Sequence, residues 1–139
     1  MKTFKKEYYF KTKAKQDIFD LSRQVEETLR ESGVKEGLLI AFVPGSTAGI
    51  TTIEFESGVL SDIREVMERL APADKDYAHN ARWGDGNGFS HVRAALVGPS
   101  LSIPVSGGRL VLGTWQQPIL MDFDNKPRNR EVVITVIGE

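Results

Sequence analysis

The sequence lacks cysteine altogether, has only two histidines and contains no long apolar run. Without cysteine, disulfide bonds, thiol nucleophiles and cysteine-based zinc sites are excluded. No apolar stretch approaches the roughly 20 residues that a transmembrane helix requires. The basic segment 1–15 also lacks the apolar run of a signal peptide. We therefore expect a soluble cytoplasmic protein with no membrane partner.

An excess of charge of either sign is also absent, since 18 basic residues face 19 acidic ones and the net charge is −1. Such a balance gives no global field that would attract nucleic acid. The 139 residues, 40% of them apolar, suffice for one domain with its own core. We predict a single domain over residues 1–139, with no nucleic-acid partner and with local binding specificity.

Apolar spacing predicts two main helices. In residues 16–32 apolar side chains recur every three or four positions, and Gly33 supplies the stop. Residues 58–70 repeat the pattern. Residues 71–88 are predicted to form a long functional loop. The pattern of residues 91–98 fits either a helix or a strand.

The remaining segments are predicted to form strands. They are rich in β-branched and aromatic residues, and turns separate them, as at Ser106–Gly108 and Asp124–Pro127. Two helices among about eight strands indicate an α+β domain with a mostly antiparallel or mixed sheet, not a Rossmann fold. The predicted strands are residues 3–11, 37–44, 48–56, 101–105, 109–113, 116–124 and 130–137.

The segment from Tyr77 to His91 is the strongest candidate for a reactive centre. It is polar and rich in glycine, and it contains both histidines of the chain. The spacing of His79 and His91 allows both to bind one divalent metal ion, with Asp85 or Glu54 as an oxygen ligand. Two histidines do not complete a ligand set, so the alternative is that either one only forms hydrogen bonds within the loop.

Three further features suggest chemistry. Strand alternation places Glu54 on one face of its strand, as a base, a metal ligand, a partner of a ligand or simply a solvated charge. The turn with Ser46 and Thr47 offers backbone N–H groups to a phosphate, although it lacks the P-loop pattern and an ordinary turn is the simpler interpretation. Trp115 either forms a wall of a substrate pocket or anchors the core or an interface.

Arginines are candidates for phosphate binding because a guanidinium group binds oxyanions through a bidentate fork. Arg128 and Arg130 share a face if their segment is extended. Solvated ion pairs are the alternative for each arginine. The other candidates are Arg82, Arg93 and Arg109.

The order of these motifs resembles that of a known family. From about residue 37 to the C-terminus, and more loosely before it, the chain is similar to the YjbQ-type family, described as secondary thiamine-phosphate synthase enzymes. The most specific elements are a Tyr-x-His, an Asn-x-x-x-His and a Gly-Thr-Trp-Gln. The segments that carry the resemblance are VPGSTAGITTIE, YAHN, GNGFSHVRAALVGPSLSIPV, GRLVLGTWQQ and PRNREVVITVIG.

The resemblance implies a single compact α+β domain with a mixed, barrel-like sheet and two main helices, assembled as a homotrimer. It also implies a site with a divalent metal ion (Zn, Mg or Mn) that acts on small phosphorylated metabolites. In that site His79 and His91 are the metal ligands and, with Glu54, the catalytic residues. The implied substrate-binding residues are Ser46, Thr47, Asn87, Trp115, Gln116, Arg128 and Arg130.

The implied reaction joins hydroxymethylpyrimidine diphosphate to thiazole phosphate, which gives thiamine phosphate and releases diphosphate. A metal ion and arginines would stabilise the negative charge of the departing diphosphate. The word "secondary" leaves room for another natural substrate. The alternatives are a metal-dependent hydrolase or lyase of another phosphorylated metabolite and a trimeric binding protein without catalytic turnover.

One position departs from the family pattern. Many relatives carry a histidine directly after the Val-Pro pair that corresponds to Val43 and Pro44, where this chain has Gly45. If that histidine is a metal ligand in relatives, then water, Glu54, Asp85 or a group of a neighbouring subunit replaces it here. The resemblance therefore does not imply a three-histidine site in this chain.

Overall fold

A computed structural model describes all residues, 1–139, and contains eight strands and four helices. None of the helices is long and apolar enough to span a bilayer. The strands are β1 (Lys2–Lys11), β2 (Ile18–Asp20), β3 (Gly37–Phe42), β4 (Ala48–Ile53), β5 (Ser100–Ser106), β6 (Arg109–Leu110), β7 (Gln117–Asp122) and β8 (Asn129–Gly138). The helices are α1 (Ser22–Ser32), α2 (Ser57–Leu70), α3 (Ala78–Trp83) and α4 (Gly88–Val97).

Two sheets form the framework of the domain. One has the strand order β1-β8-β3-β5-β6 and the other the order β2-β7-β4. The α+β class, the single compact domain and the curled, half-barrel arrangement are confirmed. The pairing is antiparallel throughout rather than mixed. Two consecutive parallel strands in one sheet would need a long crossover connection, and no pair of strands here is parallel.

The main core lies between the five-stranded sheet, the three-stranded sheet and α1. Alternate residues of β3 and β8 are buried in it, as the period of two of a strand requires. Strand β7 is buried on both faces. Leu120 belongs to the main core, whereas Ile119 and Met121 pack with Met67 of α2 and Ala94 of α4.

The first predicted helix, residues 16–32, begins later than expected. Residues 18–20 form β2 instead, which pairs with residues 119–121 of β7. This pairing joins segments about 100 positions apart in the chain, so the helical spacing of nearby residues does not signal it. The Asp20 carboxylate accepts a hydrogen bond from the Ser22 N–H at 2.9 Å, where the helix begins. Gly33 ends the helix with φ 71°, as predicted.

The second predicted helix is confirmed within one residue as α2. Its N-cap is Glu56, whose carboxylate accepts hydrogen bonds from the N–H groups of Gly58 and Val59 at 2.8 and 2.5 Å. The predicted loop 71–88 contains α3, and the undecided segment 91–98 belongs largely to α4. Both histidines of the chain therefore lie on short helices rather than in a loop.

The two predicted turns have different roles in the fold. Gly107 and Gly108 form the predicted hairpin turn with φ 58° and 75°, since a type I′ turn requires positive φ at both positions. The turn at Asp124–Pro127 has a different role, because it joins β7 of one sheet to β8 of the other. Strands β4 and β6 are shorter than predicted and end at Ile53 and Leu110.

The outer face of the five-stranded sheet is partly apolar. Residues that alternate with the core positions of β3 and β8 point outward. Helix α1 packs on the inner side of this sheet, and α4 packs on β4. Phe42 is 42% exposed on the outer face. The half-buried apolar residues on the same face of β3 and β8 are Leu38, Ile40, Val133 and Ile137.

Candidate functional site

A polar cavity of about 380 Å³ lies where the chain passes twice between the two sheets. Residues 43–47 connect β3 to β4, and residues 123–128 connect β7 to β8. Both connections lie at one end of the three-stranded sheet, because Ala48 at the start of β4 pairs with Asp122 at the end of β7. Helices α3 and α4, with the loop between them, supply the remaining wall.

Seven of the ten residues predicted to be catalytic, metal-binding or substrate-binding lie together in this cavity. They come from three separate segments of the chain, so the fold brings them to one place. Gly45, Trp83 and Asp85 line the cavity beside them. The seven are Ser46, Thr47, His79, Asn87, His91, Arg128 and Arg130.

Arg130 is a buried cation that a carboxylate and a turn hold in place. Its side chain is 8% exposed, and Nε and Nη2 lie 2.9 and 2.7 Å from Oδ1 of Asp122. Nη2 also donates hydrogen bonds to the hydroxyl and carbonyl oxygens of Thr47, at 2.6 and 3.1 Å. Nη1 has no hydrogen-bond partner in the chain and lies beside Gly45. Because a guanidinium group keeps its charge, Nη1 is available to an anion.

Arg128 is more exposed and is anchored in the same way. Its Nε donates a hydrogen bond to Oδ2 of Asp124 at 2.7 Å, and 39% of its side chain is exposed. Its backbone exchanges hydrogen bonds with Thr12 at the end of β1. Nη1 and Nη2 of Arg128 remain without partners in the chain. Arg128 and Arg130 therefore both line the cavity with free N–H groups, which suit the oxygens of a phosphate.

Asp124 is the centre of the hydrogen-bond network behind the arginines. It accepts hydrogen bonds from Thr47 Oγ1, Asn87 Nδ2, the Asn125 N–H and Arg128 Nε. Burial acts to raise the pKa of Asp124, but the hydrogen bonds from Arg128, Asn125 and Asn87 outweigh it. The pKa of Asp124 therefore lies below its ordinary value, and the carboxylate stays ionised at neutral pH.

Asp122 is the second buried carboxylate of this network. Burial raises its pKa, against the lowering effect of the hydrogen bond from Arg130. Its Oδ2 is buried without a partner. The two aspartates thus lie behind the two arginines, with side chains that are 0% exposed. In each ion pair the carboxylate therefore lies in the interior and the guanidinium group faces the cavity.

Helix α4 begins at the cavity, because Asn87 is its N-cap. The N-terminus of a helix carries partial positive charge, which favours an anion near it. Gly88 already donates its N–H to Oδ1 of Asn80 at 2.9 Å. Asn87 is 4% exposed, and its Oδ1 is buried without a partner. A buried acceptor of this kind is suited to a donor group on a ligand.

His79 and His91 lie against each other across the helix pair. Their ring centroids are 4.4 Å apart, and the rings are tilted by 41°. Nδ1 of His79 lies 3.3 Å from Oδ1 of Asp85, at ion-pair distance but without hydrogen-bond alignment. His79 also lines the cavity, so its imidazole can contact a ligand there.

The donor set does not amount to a ready metal site. No group of three or more His, Cys, Asp or Glu side chains is arranged to hold a metal ion. The two imidazole rings contact each other, and the nearby carboxylate of Asp85 is 43% exposed. The predicted metal-ligand role of His79 and His91 therefore stays a prediction.

Trp83 is a cavity residue that the sequence analysis missed. It lies at the C-terminal end of α3 and is 67% exposed. The guanidinium carbon of Arg82 lies 5.6 Å from its ring centroid. Its position inside the segment from Tyr77 to His91 was the available signal. Trp83 offers an aromatic face to a heteroaromatic ring in the cavity.

Glu54, Trp115 and Gln116 lie at the opposite end of the three-stranded sheet. There Ile53 pairs with Gln117, whereas the cavity is at the Ala48–Asp122 end. The six-residue strand makes these ends about 20 Å apart. Within one subunit, therefore, Glu54 is not a partner of the histidines, and Trp115 and Gln116 do not line the cavity.

Trp115 and Gln116 occupy an exposed turn. Gln116 Oε1 accepts a hydrogen bond from the Gly113 N–H at 3.0 Å, and Gln116 Nε2 donates one to Thr52 Oγ1 at 3.3 Å. Trp115 is 70% exposed, so the interpretation of Trp115 as a core anchor is wrong within this chain. A surface contact remains the other interpretation.

The other three candidate arginines lie outside the cavity. Arg93 is fully buried in α4, where it donates hydrogen bonds to Glu68 and to the carbonyl oxygen of Ala71 at 2.7 and 3.0 Å. It therefore links α4 to the end of α2 and has a structural role. Arg82 contacts Trp83, and Arg109 lies in the β5–β6 hairpin.

Comparison with known proteins agrees with this description. The family model described as "UPF0047 protein YjbQ-like" matches residues 6–139. A UPF0047 protein of Methanothermobacter thermautotrophicus is 37% identical over 139 residues, which cover 100% of this chain and 95% of that protein. A UPF0047 protein of Archaeoglobus fulgidus is 37% identical over 131 residues, which cover 94% and 99%.

Solved structures show the same architecture. The crystal structure of a YbjQ-like protein of unknown function from Sulfolobus solfataricus has a TM-score of 0.95 and 31% identity, over 99% of each chain. A hypothetical protein from Aeropyrum pernix has a TM-score of 0.90 and 35% identity, over 97% of this chain and 98% of that one. On the match of sequence and fold over nearly its whole length, this chain belongs to the YjbQ-like UPF0047 family.

Proposed function

We propose that this protein is an enzyme that binds the phosphate groups of a small metabolite in the polar cavity and catalyses a transfer reaction there. The observation that carries the proposal is the pair of arginines. Arg128 and Arg130 line the cavity with free guanidinium nitrogens, and two buried carboxylates fix them from behind. A preorganised cationic wall stabilises charge that develops on a departing phosphate.

The reaction that we propose within this class is of the thiamine-phosphate synthase type. The thiazole nitrogen of thiazole phosphate forms a bond to the methylene carbon of hydroxymethylpyrimidine diphosphate. The carbon–oxygen bond to the diphosphate breaks, and its electron pair leaves with the diphosphate. The support for this choice is the order of motifs along the chain, together with an aromatic face and cationic groups in one cavity.

Five side chains of the cavity have a part in the proposed reaction. Arg128 and Arg130 hold the diphosphate, and the N-terminal end of α4 adds partial positive charge. His91, which lines the same cavity, donates a proton to the departing diphosphate. Trp83 stacks on a heteroaromatic ring. The unpartnered Oδ1 of Asn87 accepts a hydrogen bond from a donor on the substrate.

A second candidate reaction uses water in place of the thiazole. The position of His79 favours it, because an imidazole that lines the cavity beside a carboxylate can act as general base toward water. The protein would then be a hydrolase or lyase of another phosphorylated metabolite. A divalent ion bound by His79 and His91 would make that water a stronger nucleophile.

The homotrimer is a proposal about assembly. Its support is the partly apolar outer face of the five-stranded sheet, with Phe42 at the end of the central strand, which a neighbouring subunit would cover. A non-catalytic trimeric binding protein is the alternative that keeps this assembly without turnover. The metal ion and the cytoplasmic location likewise stay predictions, and elemental analysis of wild type and His91→Ala tests the metal directly.

The test of function is a turnover assay on the purified protein. Hydroxymethylpyrimidine diphosphate is supplied with and without thiazole phosphate, and released diphosphate and thiamine phosphate are measured. We expect thiamine phosphate only when both substrates are present. His91→Ala should lower kcat at least tenfold, whereas Gln116→Ala, at the opposite end of the sheet, should leave kcat unchanged.

The two other functions give different results in the same assay. Phosphate or diphosphate release without thiazole phosphate would favour the hydrolase over the transferase. Absence of turnover, together with binding of diphosphate that Arg128→Ala abolishes, would favour the binding protein. Absence of both turnover and binding would overturn the proposal.

A further inference from the structure

A second cavity adjoins the polar cavity and differs from it in character. It has a volume of about 260 Å³ and shares Gly45, Ser46 and His91 with the polar cavity. Ser46 and His91, both shared with the polar cavity, are its only lining residues with polar side chains. Its remaining lining residues, all apolar, are Ala48, Ala94, Ala95 and Pro99. We call it the alanine cavity.

Gly45 lies between the polar cavity and the alanine cavity, and it has no side chain to separate them. The backbone does not require glycine here, because Gly45 is not among the residues with positive φ. A Cβ at this position would lie 3.1 Å from Nη1 of Arg130, closer than an ordinary contact. Glycine at position 45 thus leaves open the approach to Nη1 of Arg130, at a position that borders both cavities.

We infer that the site also accepts a phosphate ester with a compact apolar group. The phosphate binds Arg128 and Arg130 in the polar cavity, and the apolar group passes over Gly45 into the alanine cavity. The inference rests on the proposed phosphate-binding function of the same site and adds the chemistry of the ester group. Alanine side chains from α4 leave room for a short alkyl chain or one ring.

The walls of the alanine cavity discriminate by polarity. A hydroxylated group placed there would lose hydrogen bonds to water, and only Ser46 and His91 could replace them. An apolar group of equal size would gain from leaving water. Between two esters of the same charge and similar size, the protein should therefore prefer the apolar one.

The test compares butyl phosphate with glycerol phosphate, with inorganic phosphate as the reference ligand. Dissociation constants are measured by isothermal titration calorimetry on the intact protein. We expect butyl phosphate to bind about tenfold more tightly than glycerol phosphate, since part of its chain leaves water in an open cavity.

A variant locates the preference in the alanine cavity. Ala95→Leu fills the alanine cavity from an exposed helical position, where leucine is well tolerated. We expect it to reduce the butyl-to-glycerol preference to about onefold while the dissociation constant of inorganic phosphate changes less than threefold. The control is Ala81→Leu, an exposed helical alanine that lines neither cavity, which should keep the tenfold preference.

The outcomes separate this inference from the proposed function. If inorganic phosphate binds but wild type binds the two esters equally, the inference of an apolar group is wrong, whereas the proposed phosphate site is supported. A preference that survives Ala95→Leu would also overturn the inference. If no phosphate compound binds, the proposed function itself fails.

Discussion

The two ends of the three-stranded sheet both carry side chains that the sequence singles out, but only one end gives them buried support. At the Ala48–Asp122 end, two arginines rest on two fully buried carboxylates. At the Ile53–Gln117 end, Trp115 is 70% exposed and the hydrogen bonds of the neighbouring Gln116 and Gln117 side chains are all exposed. We call these the buried-network end and the exposed end.

The comparison teaches which motif residues can act within a single chain. A buried ion pair costs desolvation energy, so its presence indicates a specific requirement for charge at that place. At the buried-network end this requirement is met by cations facing a cavity. At the exposed end no other part of the chain covers the Trp115 side chain, so only another molecule could bury it.

The largest expected effect is that of Arg130→Met. The change leaves the Asp122 carboxylate buried without its partner, and we expect the free energy of unfolding to fall by about 3–5 kcal/mol. Urea denaturation measures it. Glu54→Gln at the exposed end serves as the control and should change stability by less than about 0.5 kcal/mol. Equal losses of unfolding free energy in the two variants would contradict the proposed difference between the two ends of the sheet.

The next effect concerns Asp124 and depends on pH. Its pKa is lower in the folded protein than its ordinary value of 3.8, so ionisation stabilises the fold above that pH. The stabilisation is lost as pH falls through the lower, folded pKa. We expect Asp124→Asn to lower the free energy of unfolding by about 2 kcal/mol at pH 7 and by progressively less below pH 4. A difference that stays constant from pH 7 to pH 3 would contradict this account.

A smaller effect compares the two tryptophans, which are almost equally exposed, at 67% and 70%. Trp83→Ala should weaken binding of hydroxymethylpyrimidine diphosphate by about three- to tenfold, because an aromatic contact with its ring contributes about 0.5–1.5 kcal/mol. Trp115→Ala should leave that affinity unchanged in a monomeric preparation. Fluorescence or calorimetric titration measures both. A loss with Trp115→Ala alone would place the ligand at the exposed end.

The smallest effect is expected for Gln116→Ala. It removes two exposed hydrogen bonds, to Gly113 and Thr52, and should lower the free energy of unfolding by about 0.5–1 kcal/mol. Urea denaturation again provides the value. A loss above about 3 kcal/mol would mean that Gln116 contributes more to stability than two exposed hydrogen bonds can provide.

Much of the fold follows from local sequence signals. The apolar spacing of α2, the glycine that ends α1 and the Gly-Gly hairpin turn all act over a few residues, and all were predicted. Strand β2 was missed because its three residues are a strand only through pairing with β7. The sequence also did not predict that every strand pair is antiparallel, because it does not show which strands become neighbours.

The candidate site was predicted where its residues are close in sequence or share a turn. His79, Asn87 and His91 lie on one segment, and Arg128 and Arg130 on another. Glu54 was expected near the histidines, because a motif order along the chain does not tell which end of a strand faces a cavity. The aspartates behind the arginines were not singled out, since burial of a carboxylate depends on the surrounding fold.

The central claim is that the cavity at the buried-network end binds phosphate. Its most direct test is calorimetric titration of inorganic phosphate into wild type, Arg128→Ala and Gln116→Ala. We predict binding at about one site per chain, at least tenfold weaker in Arg128→Ala, because charge-assisted hydrogen bonds are lost, and unchanged in Gln116→Ala. No binding to wild type, or equal loss in both variants, would contradict the claim.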